Sequence, residues 1–205
     1  MPLTLPMSPE LLVSLVVLAF AASWTPGPNN ALVAASGANF GLRASLPHVW
    51  GIALGFPVMA LVVGLALGEL FAASALLREG LRWGGAALLL WVAWQVARSG
   101  GLGRADRPRP FTFAEAAAFQ WVNPKGWVMA LAISAQFVRP DRPVATAAMV
   151  AGVFLLAGLS SSLAWAGLGQ ALRRVLAPPG RLRLFNGAMG GLIALGVVLM
   201  LLEQG

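Results

Sequence analysis

Two short runs hold the polar chemistry of this sequence: Thr25-Pro-Gly-Pro-Asn-Asn30 and Asn123-Pro-Lys125, each set inside an otherwise apolar stretch. A proline within a helix removes the hydrogen bond to the carbonyl four residues earlier, so Pro26, Pro28 and Pro124 are expected to release the carbonyls of Ala22, Trp24 and Gln120. Beyond each break a new helix starts. Asn29 or Asn30 is available to cap the first and Asn123 the second, and each start presents unpaired N–H groups and the positive end of a dipole. Such ends attract anions, while released carbonyls form a separate negative region. Together they suit the carboxylate and ammonium of one amino acid. The candidate substrate-binding residues are therefore Pro26, Gly27, Pro28, Asn29, Asn30, Asn123, Pro124 and Lys125. Lys125 is the only lysine. A charge inside an apolar segment costs at least about 2.5–3.5 kcal/mol and usually marks function. A purely structural account has it snorkel to the surface or pair with Glu115, about three turns earlier.

The elements that must position these residues follow from composition. The chain has 205 residues, 59% hydrophobic and 10% charged, far from the roughly 25% charged usage of soluble domains. Apolar runs extend from Leu11 to Ser36, Leu46 to Leu67, Leu81 to Val96, Ala114 to Val138, Val144 to Leu168 and Leu184 to Leu202. Each is long enough, or nearly so, to cross a hydrocarbon core of about 30 Å. The expected fold is an all-α integral membrane protein of six transmembrane helices. A Gly/Pro/Arg-rich linker over residues 99–112 divides it into halves 1–98 and 113–205. The piece from Leu11 to Trp24 and the pieces on either side of Asn123 are each too short to cross alone, so the first and fourth helices are discontinuous.

Orientation follows from the excess of Lys and Arg in cytoplasmic loops. With the N-terminus outside, the cytoplasmic loops hold Arg43, Arg98, Arg104, Arg107, Arg109, Arg173, Arg174, Arg181 and Arg183; the opposite loops hold only Arg78, Arg82, Arg139 and Arg142. Both termini are thus expected to be periplasmic. Three segments per half make any similarity between the halves one of inverted topology, as in many secondary transporters. Both breaks then lie roughly 12 to 15 Å from the cytoplasmic ends of their helices and can meet. The small residues of Ala19-Phe-Ala-Ala-Ser23 resemble a signal-peptide cleavage site, but no Lys or Arg precedes Leu11, so the first segment is read as a helix that stays.

Other side chains frame the site. Trp24, Trp121 and Trp127 flank the breaks, where they either line a cavity with a cation-π role or pack. His48 beside Pro47 is expected near the cytoplasmic interface. Gly51 with Gly55 and Gly187 with Gly191 have the spacing for close helix approach. The net charge of +7 is scattered through loops and reads as topology, so nucleic acid is not a partner; the lipid bilayer is. Cys is absent and His48 is the only histidine, which leaves no thiolate nucleophile and no metal site. No cofactor is called for. An intramembrane enzyme needs clustered catalytic groups, whereas His48 has no adjacent carboxylate and Ser160-Ser-Ser162 has no base in its segment. A non-transporting assembly protein would keep six helices without needing polar breaks.

Thr25-Pro-Gly-Pro-Asn-Asn30 and Asn123-Pro-Lys125 resemble the paired signatures of the LysE-type amino acid exporters, especially the homoserine/threonine branch. The similarity extends through Gly51-Ile-Ala-Leu-Gly55, Leu81-Arg-Trp-Gly-Gly85 and Ser134-Ala-Gln-Phe137. Ser36-Gly-Ala-Asn-Phe-Gly41 with Leu46-Pro-His48 is similar to the branch that exports cysteine and O-acetylserine. The resemblance implies a bacterial inner-membrane carrier, not an enzyme, that exports amino acids by exchange with protons; a homo-oligomer is compatible with it. No Asp or Glu lies deep within a segment, which favours small neutral substrates over cationic ones. Many members carry a tyrosine in the third segment, where this chain reads Ala86-Ala-Leu88 and has no Tyr anywhere.

Overall fold

The structure, a computed structural model, describes residues 6–67, 74–98, 109–176 and 178–203. Its regular elements are all helical: α1 (Pro9–Trp24), α2 (Pro28–Phe40), α3 (Leu42–Val62) with a π-helical turn (Val63–Leu67), α4 (Ala75–Arg98), α5 (Phe113–Val122), α6 (Pro124–Phe137), α7 (Pro143–Leu172) and α8 (Pro179–Glu203). Local chemistry fixes several ends. Ser8 caps α1 by accepting from the Leu11 N–H at 3.3 Å, ahead of Pro9. Thr112 and Glu115 form a reciprocal capping box at the start of α5, and Glu115 is also held by Arg109 at 2.7 Å. Glu115 is thus engaged locally and is not the partner of Lys125. Gly41, at φ +87, makes the reversal from α2 into α3 in a backbone region that suits glycine. In the turn before α7, the Arg139 guanidinium beside Asp141 holds that carboxyl below its ordinary range.

Three helices are long and apolar enough to cross a membrane singly, namely Leu42–Ala66, Pro143–Leu172 and Gly180–Leu199; α1 and α2, bent by 53° at their break, make a fourth as a pair. The expected third and fourth segments do not reach that standard among the described residues. The reasons are compositional: α4 carries Arg82, Gln95 and Arg98 with three tryptophans, and the second broken segment carries Glu115, Gln120, Asn123 and Lys125. Most of the linker, residues 99–108, lies outside the described residues, as do Arg104 and Arg107.

Packing centres on α7, against which α1, α2 and α3 all lie, while α3 also packs on α5 and α4 on α8. Small residues set these distances. A Cβ at Gly51 would stand 2.5 Å from the Ala116 Cβ, and one at Gly55 would stand 2.8 Å from the Ala117 Cα, so α3 and α5 touch nearly backbone to backbone. The expectation for Gly187 and Gly191 fails, since nothing lies within 4 Å of a Cβ at either. Gly190 is the close approach instead: a Cβ added there would stand 2.5 Å from the Ala93 carbonyl oxygen of α4. A helix repeats every 3.6 residues, so a spacing of four marks a face without saying which face meets a neighbour.

His48, near the start of α3, is packed inside the protein. It is 2% exposed, with its Nδ1 2.9 Å from the Ser36 Oγ and its ring tilted against Phe111 at 5.0 Å.

Candidate functional site

Each break is a point where the residue before a proline is extended. Thr25 has φ −59, ψ 127, Gly27 has φ −171, ψ −176, and Asn123 has φ −83, ψ 108. The proline ring disfavours helical geometry at the preceding residue, which is why the chain opens at these positions. Pro28 and Pro124 then begin α2 and α6, where a missing N–H costs nothing.

The two breaks meet around one cavity with about 600 Å³ of empty space, the solvent at its mouth included. Gly27, Pro28, Asn29, Asn30, Asn123 and Lys125 all line it. Pro26 does not: it is exposed. Pro124 contributes the backbone start of α6. Lys125 reaches from the second break to the first, such that a Cβ added at Gly27 would meet its Nζ at 3.0 Å. The ion pairs among the described residues join Arg82 to Glu79, Arg109 to Glu115 and Arg139 to Asp141, and none involves Lys125.

The asparagines divide their work differently from expectation. Asn123 is the cap of α6, its Oδ1 accepting from the Lys125 N–H at 3.2 Å. α2 is capped by Gly27 without a side-chain bond. Asn30 instead donates to the Ser23 carbonyl at 2.9 Å and the Thr25 carbonyl at 3.0 Å, and Ser161 of α7 donates to Ser23 at 2.7 Å. Among the described residues, side chains serve the carbonyls of Ser23, Thr25 and Trp121 at the breaks. A helix that ends before its proline releases its whole last turn, and the carbonyls nearest a side-chain donor are the ones reached.

Gln120 is a residue that sequence reasoning missed. It is fully buried on α5, and its Oε1 accepts from the Asn29 amide at 2.8 Å, joining the first half to the second. Its one visible signal was an amide in an apolar run. The tryptophans do not line the cavity. Trp127 donates its indole N–H to the Trp121 carbonyl at 2.8 Å, and Trp24 donates to the Ser160 Oγ at 3.3 Å. In a dry interior an indole N–H seeks an acceptor, and the broken helices supply one.

What this arrangement offers is a lysine ammonium and the first turn of α2 facing one space, with apolar walls from Ile52, Phe56 and Phe154. An anion with a short side chain fits such a space chemically.

The cysteine/O-acetylserine efflux protein of Salmonella choleraesuis (strain SC-B67) is 31% identical over 177 residues, covering 85% of this chain and 90% of that protein. Those of Klebsiella pneumoniae subsp. pneumoniae and Escherichia coli O1:K1 are 30% and 29% identical over the same shares of both chains. No solved structure gives a significant match. The family model described as LysE type translocator matches residues 20–203, which contain both breaks and all of α2 to α8. The chain belongs to the LysE type translocator family, and it is a membrane transporter rather than an enzyme.

Proposed function

We propose that this protein exports small neutral amino acids or their derivatives, of the cysteine and O-acetylserine kind, across the bacterial inner membrane in exchange for protons. The observation that carries the reading is Lys125 of one broken helix reaching Gly27 of the other across a shared cavity. The substrate carboxylate docks at Lys125 and the start of α2, with Asn29, Asn30 and Asn123 shaping the site. Helix starts aimed at anionic groups near mid-membrane are how broken-helix transporters hold their substrates. The apolar walls and the absence of an acidic residue among those lining the cavity suit a short uncharged side chain. The relatives' export of cysteine and O-acetylserine supports this substrate class.

The same reading takes the chain as two inverted three-span halves, 1–98 and 113–205, joined by a linker over 99–112. Packing supports it: α1 and α2 lie on α7, while α5 and α6 lie on α3, and α4 lies on α8. Interchanging the halves leaves that pattern unchanged.

Competitive efflux from preloaded proteoliposomes tests the proposal. O-Acetylserine and cysteine should compete with each other, and an inward proton gradient should accelerate their exit; a vesicle that releases neither overturns it. Both termini are placed in the periplasm. A cysteine introduced at Gly103, in the segment outside the described residues, should be shielded from an impermeant thiol reagent in intact cells. One at Asp141 should react. The reverse labelling pattern inverts the topology.

A further inference from the structure

The carboxylate site proposed above does not draw on the Ser160-Ser-Ser162 run, whose three hydroxyls have different surroundings. Ser160 donates to the Ala157 carbonyl at 2.9 Å and accepts from the Trp24 indole. Ser161 donates to the Ser23 carbonyl. Ser162 is 1% exposed and lines the cavity, yet among the described residues its hydroxyl makes no hydrogen bond. The other buried polar side chains on the cavity wall are committed. Asn30 serves the Ser23 and Thr25 carbonyls, Gln120 pairs with Asn29 and the Ala116 carbonyl, and Asn123 accepts from the Lys125 N–H. A hydroxyl on the cavity wall that no protein group answers is available to what enters the cavity.

The position of Ser162 says which part of a substrate it meets. Phe154, Gly158, Ser161 and Ser162 line the cavity at i, i+4, i+7 and i+8, so one face of α7 follows it for roughly 12 Å. The Phe154 end is apolar and closed by Phe56, whose ring lies 5.2 Å away. The Ser162 end is polar. A substrate carboxylate is already answered by an ammonium, against which a neutral hydroxyl adds little. A hydroxyl both donates and accepts, which suits a neutral polar group.

We propose that the Ser162 hydroxyl reads the substrate's side chain, forming a hydrogen bond to the hydroxyl, thiol or acyl oxygen carried on its Cβ. This rests on the amino acid export reading of the same cavity. It makes Ser162 a specificity-determining residue, because a site built to bond a polar group discriminates against an analogue that lacks it.

The test compares the full chain with its Ser162→Ala and Ser162→Thr variants in proteoliposomes, using O-acetylserine and cysteine against 2-aminobutyrate, which replaces the thiol by a methyl. The wild-type preference for the polar substrates should fall about five- to tenfold in Ser162→Ala and return in Ser162→Thr, the scale of one neutral hydrogen bond. Ser162→Cys, nearly the same shape with a weak S–H donor, should show the fall if Ser162→Ala does not fold. An unchanged ratio, or equal loss for all three amino acids, overturns the assignment while leaving the transport reading intact. A wild-type protein that moves none of them overturns both.

Discussion

Replacing Lys125 with methionine is expected to abolish efflux while leaving folded protein in the membrane. The substitution keeps the length and apolar stem but removes the charge that reaches Gly27. Truncating one member of a buried charge pair costs about 2–5 kcal/mol, so labelled-substrate efflux should fall roughly thirty- to several-thousandfold. A lysine that merely snorkelled would behave oppositely, since methionine would relieve the cost of its charge within the membrane. Wild-type efflux in Lys125→Met would remove the residue from the site. If exchange of labelled substrate survives and only gradient-driven efflux is lost, the lysine belongs to coupling. Lys125→Arg tests shape, because a guanidinium is larger and holds its proton more firmly.

The second large effect is expected on folding, at the crossing of α2 and α7. A Cβ at Gly37 would run into the Ala166 carbonyl, and one at Gly169 would run into the Ala34 carbonyl and stand 2.9 Å from the Ala38 nitrogen. The obstacles are backbone atoms, which cannot rotate aside. Overpacking a core typically costs 1–3 kcal/mol; here two helices must separate, so Gly37→Leu or Gly169→Leu should exceed about 3 kcal/mol. Fluorescence-detected size exclusion should show loss of the monodisperse peak. Gly167→Leu and Gly152→Leu are the controls: nothing lies within 4 Å of a Cβ at either, and leucine favours helix over glycine. Equal behaviour of all four variants would mean that the close approach does not hold the fold. α2 also forms the wall of the cavity, so partial rescue at low temperature should restore efflux together with the folded peak.

Much of the site was legible because its cause is local. A proline disfavours helix at the residue before it wherever it stands, so the breaks at Thr25 to Gly27 and at Asn123 could be read from residue order. Charge counting and the expectation of inverted halves then suggested one depth for both, and the two breaks do border one cavity. Local chemistry alone does not decide whether a helix opens. Pro47 and Pro57 stand in the sequence much as Pro26 and Pro124 do, yet α3 runs through both. Around the breaks, by contrast, an extended Gly or Asn and nearby side-chain donors accommodate the opened backbone. A proline reduces the stability of a helix by a fixed local amount; whether the helix opens depends on neighbours far away in sequence.

The all-helical membrane class, the family, the two breaks and the unusual position of Lys125 could all be read from residue order. These depend on composition, order and helical period, which one segment carries alone. The tertiary structure decided the pairings. Asn29 meets Gln120 across 91 positions, Ser161 reaches Ser23 across 138, and Gly190 rather than Gly187 faces α4. It also decided that Trp127 serves the Trp121 carbonyl and Trp24 the Ser160 hydroxyl, both away from the cavity wall, and that Ser162 alone of the three serines is left without a bond among the described residues. Periodicity fixes which residues share a helix face, but it does not fix the rotation of that face toward its neighbours. That rotation is set when many side chains pack at once, and no single segment contains the information.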